Sequence, residues 1–259
     1  MNSVSEAPPI LEVMGLSKAF GGVQAVHDCR FEITQRVTGI IGPNGAGKST
    51  LIGLLSGTLL ADAGRICFGG NEITRMAPHR RSQLGLTRTF QISRQFHTLS
   101  VLENLLVASP DADDRLIGAI VLRRQMKRRD RESVKRSLQV LEDVGLYAKR
   151  DDRAGELSGG QMRLLEIARA IIRQPKLVLF DEPTAGVNPV LIERVEEQLR
   201  NMAESGTTVL LVEHNLKVVE RMCDSVIVVA NGSVIAVGSM EEHRANDEVV
   251  KAYLGTGEA

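Results

Sequence analysis

The chain has 259 residues, 43% of them hydrophobic and 25% charged, enough apolar material for one large core or two modest ones and too much for a disordered chain. Lysine plus arginine and aspartate plus glutamate each total 32, so no bulk field draws the molecule toward nucleic acid or anionic lipid; any such attraction has to be local. Cys29, Cys67 and Cys223 lack metal-ligand or redox spacing, Met1 to Pro9 has no basic-then-apolar secretory pattern, and no run approaches the ~20 apolar residues of a membrane span.

In chain order, Ile10 to Ile33 predicts antiparallel strands around a Gly21-Gly22 turn, with Val13, Leu16, Val26, Phe31 and Ile33 facing inward. Val37 to Ile41 is a short buried strand. Lys48 to Ser56 is a helix stopped by Gly57, and Asp62-Ala63-Gly64 turns into a strand at Arg65 to Phe68. After Leu86 to Phe90 the chain is mostly helical from Ser93 to about Glu156, a candidate inserted subdomain. Helix and apolar strand then alternate: helix Met162 to Arg173, strand Leu177 to Phe180, helix Pro189 to Ala203, strand Thr208 to Val212, helix Leu216 to Met222, strand Ser225 to Val229. Such alternation predicts a parallel α/β sheet. Asn231-Gly232 is a two-residue hairpin turn between Val226 to Ala230 and Val234 to Val237.

Three segments carry chemistry. Gly42-Pro43-Asn44-Gly45-Ala46-Gly47-Lys48-Ser49-Thr50 fits GxxxxGK[ST] directly after an apolar strand. Its glycines let consecutive N–H groups point into one concavity, the following helix adds its positive end, and Lys48 adds a mobile full charge, which together suit a triphosphate. Ser49 offers a hydroxyl oxygen to Mg2+. Leu177 to Phe180 delivers Asp181 and Glu182 at the carboxyl edge of the sheet, where the first carboxylate can hold the metal and the second can act as general base on an attacking water. Leu157-Ser158-Gly159-Gly160-Gln161 runs into a helix N-terminus, a second anion site.

With these motifs in this order, the chain resembles the ATP-binding cassette family from about Ile10 to Val237. The resemblance implies an α/β fold: a P-loop NTPase core with a mostly parallel sheet, an N-terminal antiparallel β subdomain and an inserted α-helical subdomain. The expected boundaries are 8–92 and 157–238 for the core, 93–156 for the helical part and 239–259 for a helical tail. It also implies that Ser158, Gly160 and Gln161 meet ATP held by another subunit, which requires a head-to-tail pair, either a homodimer or a heterodimer with a paralogue. Gln91 then touches Mg2+ and senses a membrane subunit, His214 reaches the γ-phosphate and joins Glu182 and Lys48 as a catalytic group, and Phe20 stacks on adenine. Gly42, Asn44, Gly45, Gly47, Lys48, Ser49 and Thr50 bind the nucleotide, and Ser49, Gln91 and Asp181 serve the metal.

Several segments have a plainer reading as well. Asn188, where the family more often has aspartate, followed by Pro189 is a good N-cap and first helical residue. Ser100 with Glu103 is a capping box, within a segment that in the family lines the groove for the permease. Arg123, Arg124, Lys127, Arg128, Arg129 and Arg131 form a basic run that is either a solvated helix face or a contact with headgroups or permease.

The implied function is an ATP-hydrolysing motor subunit at the cytoplasmic side of the membrane, peripheral, coupled to separate integral permeases and indirectly to an extracytoplasmic solute-binding protein. The Ala185-Gly186-Val187-Asn188-Pro189 variant, the sequence after Gln91 and the ending Val249 to Gly255 are similar to branched-chain amino-acid importers; urea or amide import and lipopolysaccharide export are the neighbouring alternatives. A soluble nucleic-acid-linked cassette ATPase is disfavoured by the zero net charge and by the absence of a coiled coil or second cassette. A kinase would leave the serine-glycine-glycine motif without a task.

Overall fold

The computed structural model describes residues 8–89, 97–110 and 128–254, with side chains excepted at 128–130 and 253–254. Within these residues the chain divides into two compact units, Met1–Arg88 with Lys176–Glu182 and Thr208–Ala259, and Thr89–Pro175 with Pro183–Thr207.

The first unit holds two sheets. Strands β1 (Leu11–Phe20), β2 (Val23–Ile33), β4 (Ala63–Phe68) and β5 (Asn71–Glu72) form an antiparallel sheet in the order β2-β1-β4-β5. Val13, Leu16, Val26, Phe31 and Ile33 all face inward and are buried as expected, because irregularities at Gly15 and Asp28, both at positive φ, shift the alternation between Val13 and Leu16 and between Val26 and Phe31. The second sheet has the order β10-β9-β3-β8-β7-β6, from β3 (Val37–Ile41), β6 (Leu86–Arg88), β7 (Leu177–Asp181), β8 (Thr208–Val212), β9 (Ser225–Ala230) and β10 (Ser233–Gly238). Its pairs are parallel except β9 with β10.

The central strands are apolar on both faces because both faces are covered. Ile40, Ile227 and Val229 pack with Leu51, Ile52, Leu54 and Leu55 of helix α1 (Lys48–Ser56) and with the inner residues of the antiparallel sheet. Their sequence neighbours Ile41, Val226 and Val228 turn to a second cluster with Val219 and Val249. Val219 comes from α7 (Leu216–Met222) and Val249 from the C-terminal helix α9 (Asp247–Leu254), which follows the short α8 (Met240–Arg244). Burial of each such aliphatic side chain contributes roughly 1.5–3 kcal/mol.

Helix α2 (Pro78–Leu84), absent from the sequence expectation, begins with Pro78 in its first turn and ends at left-handed Gly85. It carries a fully buried guanidinium: Arg81 donates to the carbonyls of Leu54, Leu55, Thr74 and Met76 at 2.7–2.9 Å. The first two belong to the last turn of α1, so the cation caps that helix's negative end. Burial pushes the Arg81 pKa down to about 10, which leaves it charged at neutral pH.

The second unit contains α3 (Val101–Ala108), α4 (Arg128–Asp143), α5 (Gly159–Arg173) and α6 (Pro189–Glu204), with single 3-10 turns at Tyr147–Lys149 and Ala154–Glu156. Helix α5 packs on α3, α4 and α6, and Gln198 of α6 donates to the Asp143 carbonyl at the end of α4 at 3.0 Å. These contacts group α5 and α6 with the helical stretch; the sequence expectation ran the second part of the core from 157 to 238. Ser100 and Glu103 form the expected capping box. Of the basic run, Arg131 is exposed, while residues 123–127 and the side chains of Arg128 and Arg129 lie outside the described residues. Among the described residues, no helix is long and apolar enough to cross a membrane. All three cysteines are unpaired; Cys29 is buried, and burial pushes the Cys223 thiol up to about 12.

Candidate functional site

The phosphate loop leaves β3 and enters α1. Gly42 and Gly47 cannot be replaced without movement, because a Cβ at Gly42 would strike the Val229 carbonyl and one at Gly47, whose φ is 100°, would strike the Ala25 carbonyl. Left-handed Gly47 is the N-cap, and α1 has no side-chain cap and no acidic residue in its first turn. The first N–H groups of the helix are thus left to an anionic ligand. Lys48 folds back over the loop, its Nζ donating to the carbonyls of Gly42 at 2.7 Å and Pro43 at 2.9 Å. Burial pushes its pKa down, while the charges of Glu182 and Asp181 act against that shift. Ser49, one residue on, is exposed.

The hairpin turn between β9 and β10 buttresses this loop. Gly232 donates its N–H to the Ala46 carbonyl at 3.0 Å, and its own carbonyl accepts from the His27 N–H at 2.7 Å and the Cys29 thiol at 3.3 Å. Asn231 and Gly232 both have positive φ, 49° and 79°, as a primed two-residue turn requires. The sequence announces the turn, but nothing local in it announces the contact with Ala46.

At the end of β7 the chain bends sharply. Glu182 sits at φ 50° and donates its N–H to the Val212 carbonyl at 2.9 Å. A non-glycine residue in that region stores strain, a feature that concentrates at functional sites. The bend brings Glu182 Oε1 to 2.9 Å from His214 Nε2, with both side chains part-exposed. His214 is itself anchored, since its N–H and that of Asn215 point at Oε2 of the buried Glu213 at 3.2 and 3.4 Å. Asn215 in turn caps α7 through the Lys217 N–H. Asp181 receives Arg88 Nη2 at 2.9 Å, a partner that sequence reasoning missed.

These pieces enclose an open cleft of about 500 Å³ lined by Asn44 to Thr50, Glu182, His214, Val23, Gln24, Ala25, Asn231 and Gly232. Asn44, Gly45, Gly47, Lys48, Ser49, Thr50, Glu182 and His214 are thereby brought together, with Gly42 just behind Lys48. Asp181 is adjacent through Lys48 but not part of the lining, and β2 and the hairpin supply the unexpected remainder. Phe20 is not a lining residue; it lies 47% exposed at the end of β1 opposite Val23, with Lys18 Nζ at 5.5 Å from its ring centroid. Lys18 is paired with Asp62 at 2.7 Å, and Asp62 also accepts the Ala19 N–H at 2.7 Å. Gln91 lies outside the described residues.

In the second unit, exposed Ser158 caps α5, which begins at Gly159, three residues before the expected Met162. The Gln161 N–H donates to Ser158 Oγ at 3.4 Å, and Gln161 Oε1 accepts the Ser158 N–H at 3.0 Å. The serine hydroxyl, which accepts in the cap, keeps its proton for donation to an incoming acceptor. A Cβ at Gly160 would meet the terminal methyl of Leu191, which a rotamer change can move aside. Asn188 Oδ1 accepts the Leu191 N–H at 3.0 Å, so its capping role is present.

Comparison with known proteins decides the family. The model of the ABC transporter family matches residues 26–185. The chain belongs to the ABC transporter family. A probable branched-chain amino acid transport ATP-binding protein, LivG of Archaeoglobus fulgidus, is 41% identical over 95% of each chain. The high-affinity branched-chain amino acid transport ATP-binding protein BraF of Pseudomonas aeruginosa is 37% identical over 95% of this chain and 98% of its own. A solved ATP-binding cassette of an ABC transporter in its ADP conformation superposes with a TM-score of 0.82 at 36% identity, covering 96% of this chain and 100% of that one. The fold is therefore that of an ABC cassette, and the chain is an ATPase of this family.

Proposed function

We propose that this ABC ATPase is the motor subunit of a branched-chain amino-acid importer. Similarity along almost the whole chain to ATP-binding proteins of such systems carries that reading. Urea or amide import and lipopolysaccharide export use the same motor, and cargo choice resides in permeases and a solute-binding protein rather than in this chain. The chain then works as a peripheral subunit on the cytoplasmic face, held there by integral permeases. Residues 8–92 and 157–238 act as the nucleotide-binding core, 93–156 as the helical part that meets the permease, and 239–259 as a tail.

The loop from Gly42 to Thr50 holds the phosphates, Lys48 swings from the Gly42 and Pro43 carbonyls to their oxygens, and Phe20 stacks on adenine at the rim. Mg2+ fits the donor set, because Ser49 and Asp181 are hard oxygen donors beside a phosphate site. Among the described residues no three His, Cys, Asp or Glu side chains converge on a metal, so phosphates and water would complete the shell. Gln91 is assigned to the same ion, whose chemistry when bound is to neutralise charge on the β- and γ-phosphates. Glu182 takes the proton of the water whose oxygen bonds to the γ-phosphorus, as the bond to the β–γ bridging oxygen breaks and ADP leaves with that electron pair. His214, as the Nε2–H tautomer, donates to Glu182 and holds its orientation. Ser158, Gly160 and Gln161 of a second ATPase copy, identical or paralogous, close on the γ-phosphate through the N-terminus of α5. ATP thereby favours a closed pair, and hydrolysis reopens it.

The test is Glu182→Gln in the full chain, purified with its membrane partners. Turnover is expected to fall at least 10²-fold while ATP binding and an ATP-dependent dimer in size-exclusion chromatography persist. Hydrolysis at the parent rate removes Glu182 as the base. Identification of the attached permease, followed by reconstituted uptake of leucine, isoleucine and valine, decides the cargo.

A further inference from the structure

We infer that Arg88 masks the Asp181 carboxylate, so that the nucleotide-free cleft has little affinity for a divalent cation and the ion enters with its triphosphate. The inference rests on the proposed metal role of Asp181. Strand β6 is parallel to β7 with Arg88 opposite Leu179, two residues short of Asp181. Two strand residues span ~6.6 Å, about the reach of an arginine side chain lying along the strand, and Nη2 meets Oδ2 at 2.9 Å. The other end of the guanidinium, Nη1, lies 3.5 Å from Ser56 Oγ and 3.4 Å from Thr58 Oγ1, on either side of Gly57 at the close of α1. One cation thus ties the tip of β7 to the helix whose first turn bears Lys48 and Ser49. Both members of the pair are largely enclosed, with side-chain exposures of 18% and 26%, so solvent screens them less than a surface pair.

Two effects on a divalent ion oppose each other. Arg88 fixes the carboxylate, which favours the ion by less than about tenfold, the scale of one ordered side chain. It also places a full positive charge 2.9 Å from the carboxylate oxygen of Asp181, and Lys48 adds a second. Repulsion between a unit and a double charge ~6 Å apart, at an effective dielectric constant of about 40–80 beside an open cleft, is worth about 10- to 100-fold in affinity. Repulsion therefore exceeds ordering. The triphosphate, with its own negative charge, overcomes this barrier, whereas Asp181 alone does not.

The experiment titrates nucleotide-free full-length protein with Mn2+ and reads the free ion by electron paramagnetic resonance. Arg88→Met is expected to bind Mn2+ about 10-fold or more tightly than the parent. Arg88→Lys, which keeps the charge, should stay within about threefold of the parent. Adding Asp181→Asn to Arg88→Met should abolish the gain. Equal or weaker Mn2+ binding by Arg88→Met overturns the masking, as does a gain that survives Asp181→Asn. Failure of the underlying reading shows separately: Mn2+ binding in the presence of a non-hydrolysable ATP analogue would then be unchanged in Asp181→Asn alone. Thermal melting of each variant confirms that a folded protein is being compared.

Discussion

Ser158→Asp separates the two tasks that Ser158 carries. As a cap, the serine oxygen accepts the Gln161 N–H at 3.4 Å, a long bond that places its contribution toward the low end of the ~0.5–2 kcal/mol range for N-caps. Aspartate is as good an N-cap and adds about 0.3–1 kcal/mol by facing the positive end of α5. The variant should thus melt at or slightly above the parent temperature, whereas Ser158→Ala should lose about 1–2 °C in a chain of this size. In the proposed composite site the opposite holds. A carboxylate about 4 Å from a γ-phosphate oxygen, at an effective dielectric constant near 20, costs about 4 kcal/mol per unit charge, or about 10³-fold in population of the closed pair. Steady-state ATPase activity measured beside differential scanning calorimetry gives both readouts on one sample. Hydrolysis at the parent rate by a stable Ser158→Asp protein would refute the composite pocket, and a drop of several degrees would refute the capping geometry.

Lys48→Ala removes the charge that bridges the Gly42 and Pro43 carbonyls and is expected to weaken nucleotide binding about 10²-fold, read by titration with a fluorescent ATP analogue. Binding within a factor of three of the parent would show that loop N–H groups and the helix dipole suffice without it. Asn188→Ala should lower stability by about 1 kcal/mol through loss of the cap on α6, while Asn188→Asp should leave it unchanged. Thermal melts of the two variants check this, and equal melting of all three proteins would mean that the cap contributes nothing.

Boundaries were legible wherever a local cause sets them. Strand β3, helix α1, strand β8 and helix α7 run where apolar spacing and the Gly57 stop put them, because each is decided within a few residues. The start of α5 was not, since Gly159 and Gly160 suggest a loop by propensity alone, yet the Ser158–Gln161 capping box draws both into the first turn. Arg81 shows the same limit from another side. An arginine is ordinarily a surface residue, but in the fold this one is fully buried on four carbonyls. Much of the cleft lining was legible because Asn44 to Thr50 are contiguous. Its supports were not: Arg88 lies 93 residues from Asp181, and Gly232 reaches Ala46 from a hairpin that sits beside β3 in the sheet but far along the sequence. No window along the chain contains those pairs.

The placement of Glu182 shows why the supports matter. An extended continuation of β7 would put successive side chains on opposite faces of the sheet; of Asp181 and Glu182, only Glu182 lines the cleft. The left-handed turn at Glu182 breaks that alternation at a cost of about 1–2 kcal/mol. It is held by the hydrogen bond from its N–H to Val212, one strand away, and that strand's own exit is fixed by Glu213 gripping the N–H groups of His214 and Asn215. Because β7 and β8 are bonded in register from Leu177 to Asp181, any slip of one strand would move the carboxylate and the imidazole apart together with the loss of the whole ladder. The 2.9 Å contact between Glu182 and His214 is therefore stabilised by the sheet rather than by the exposed pair itself, whose own contribution is screened by solvent. Sheet register, more than side-chain attraction, sets the geometry of this site.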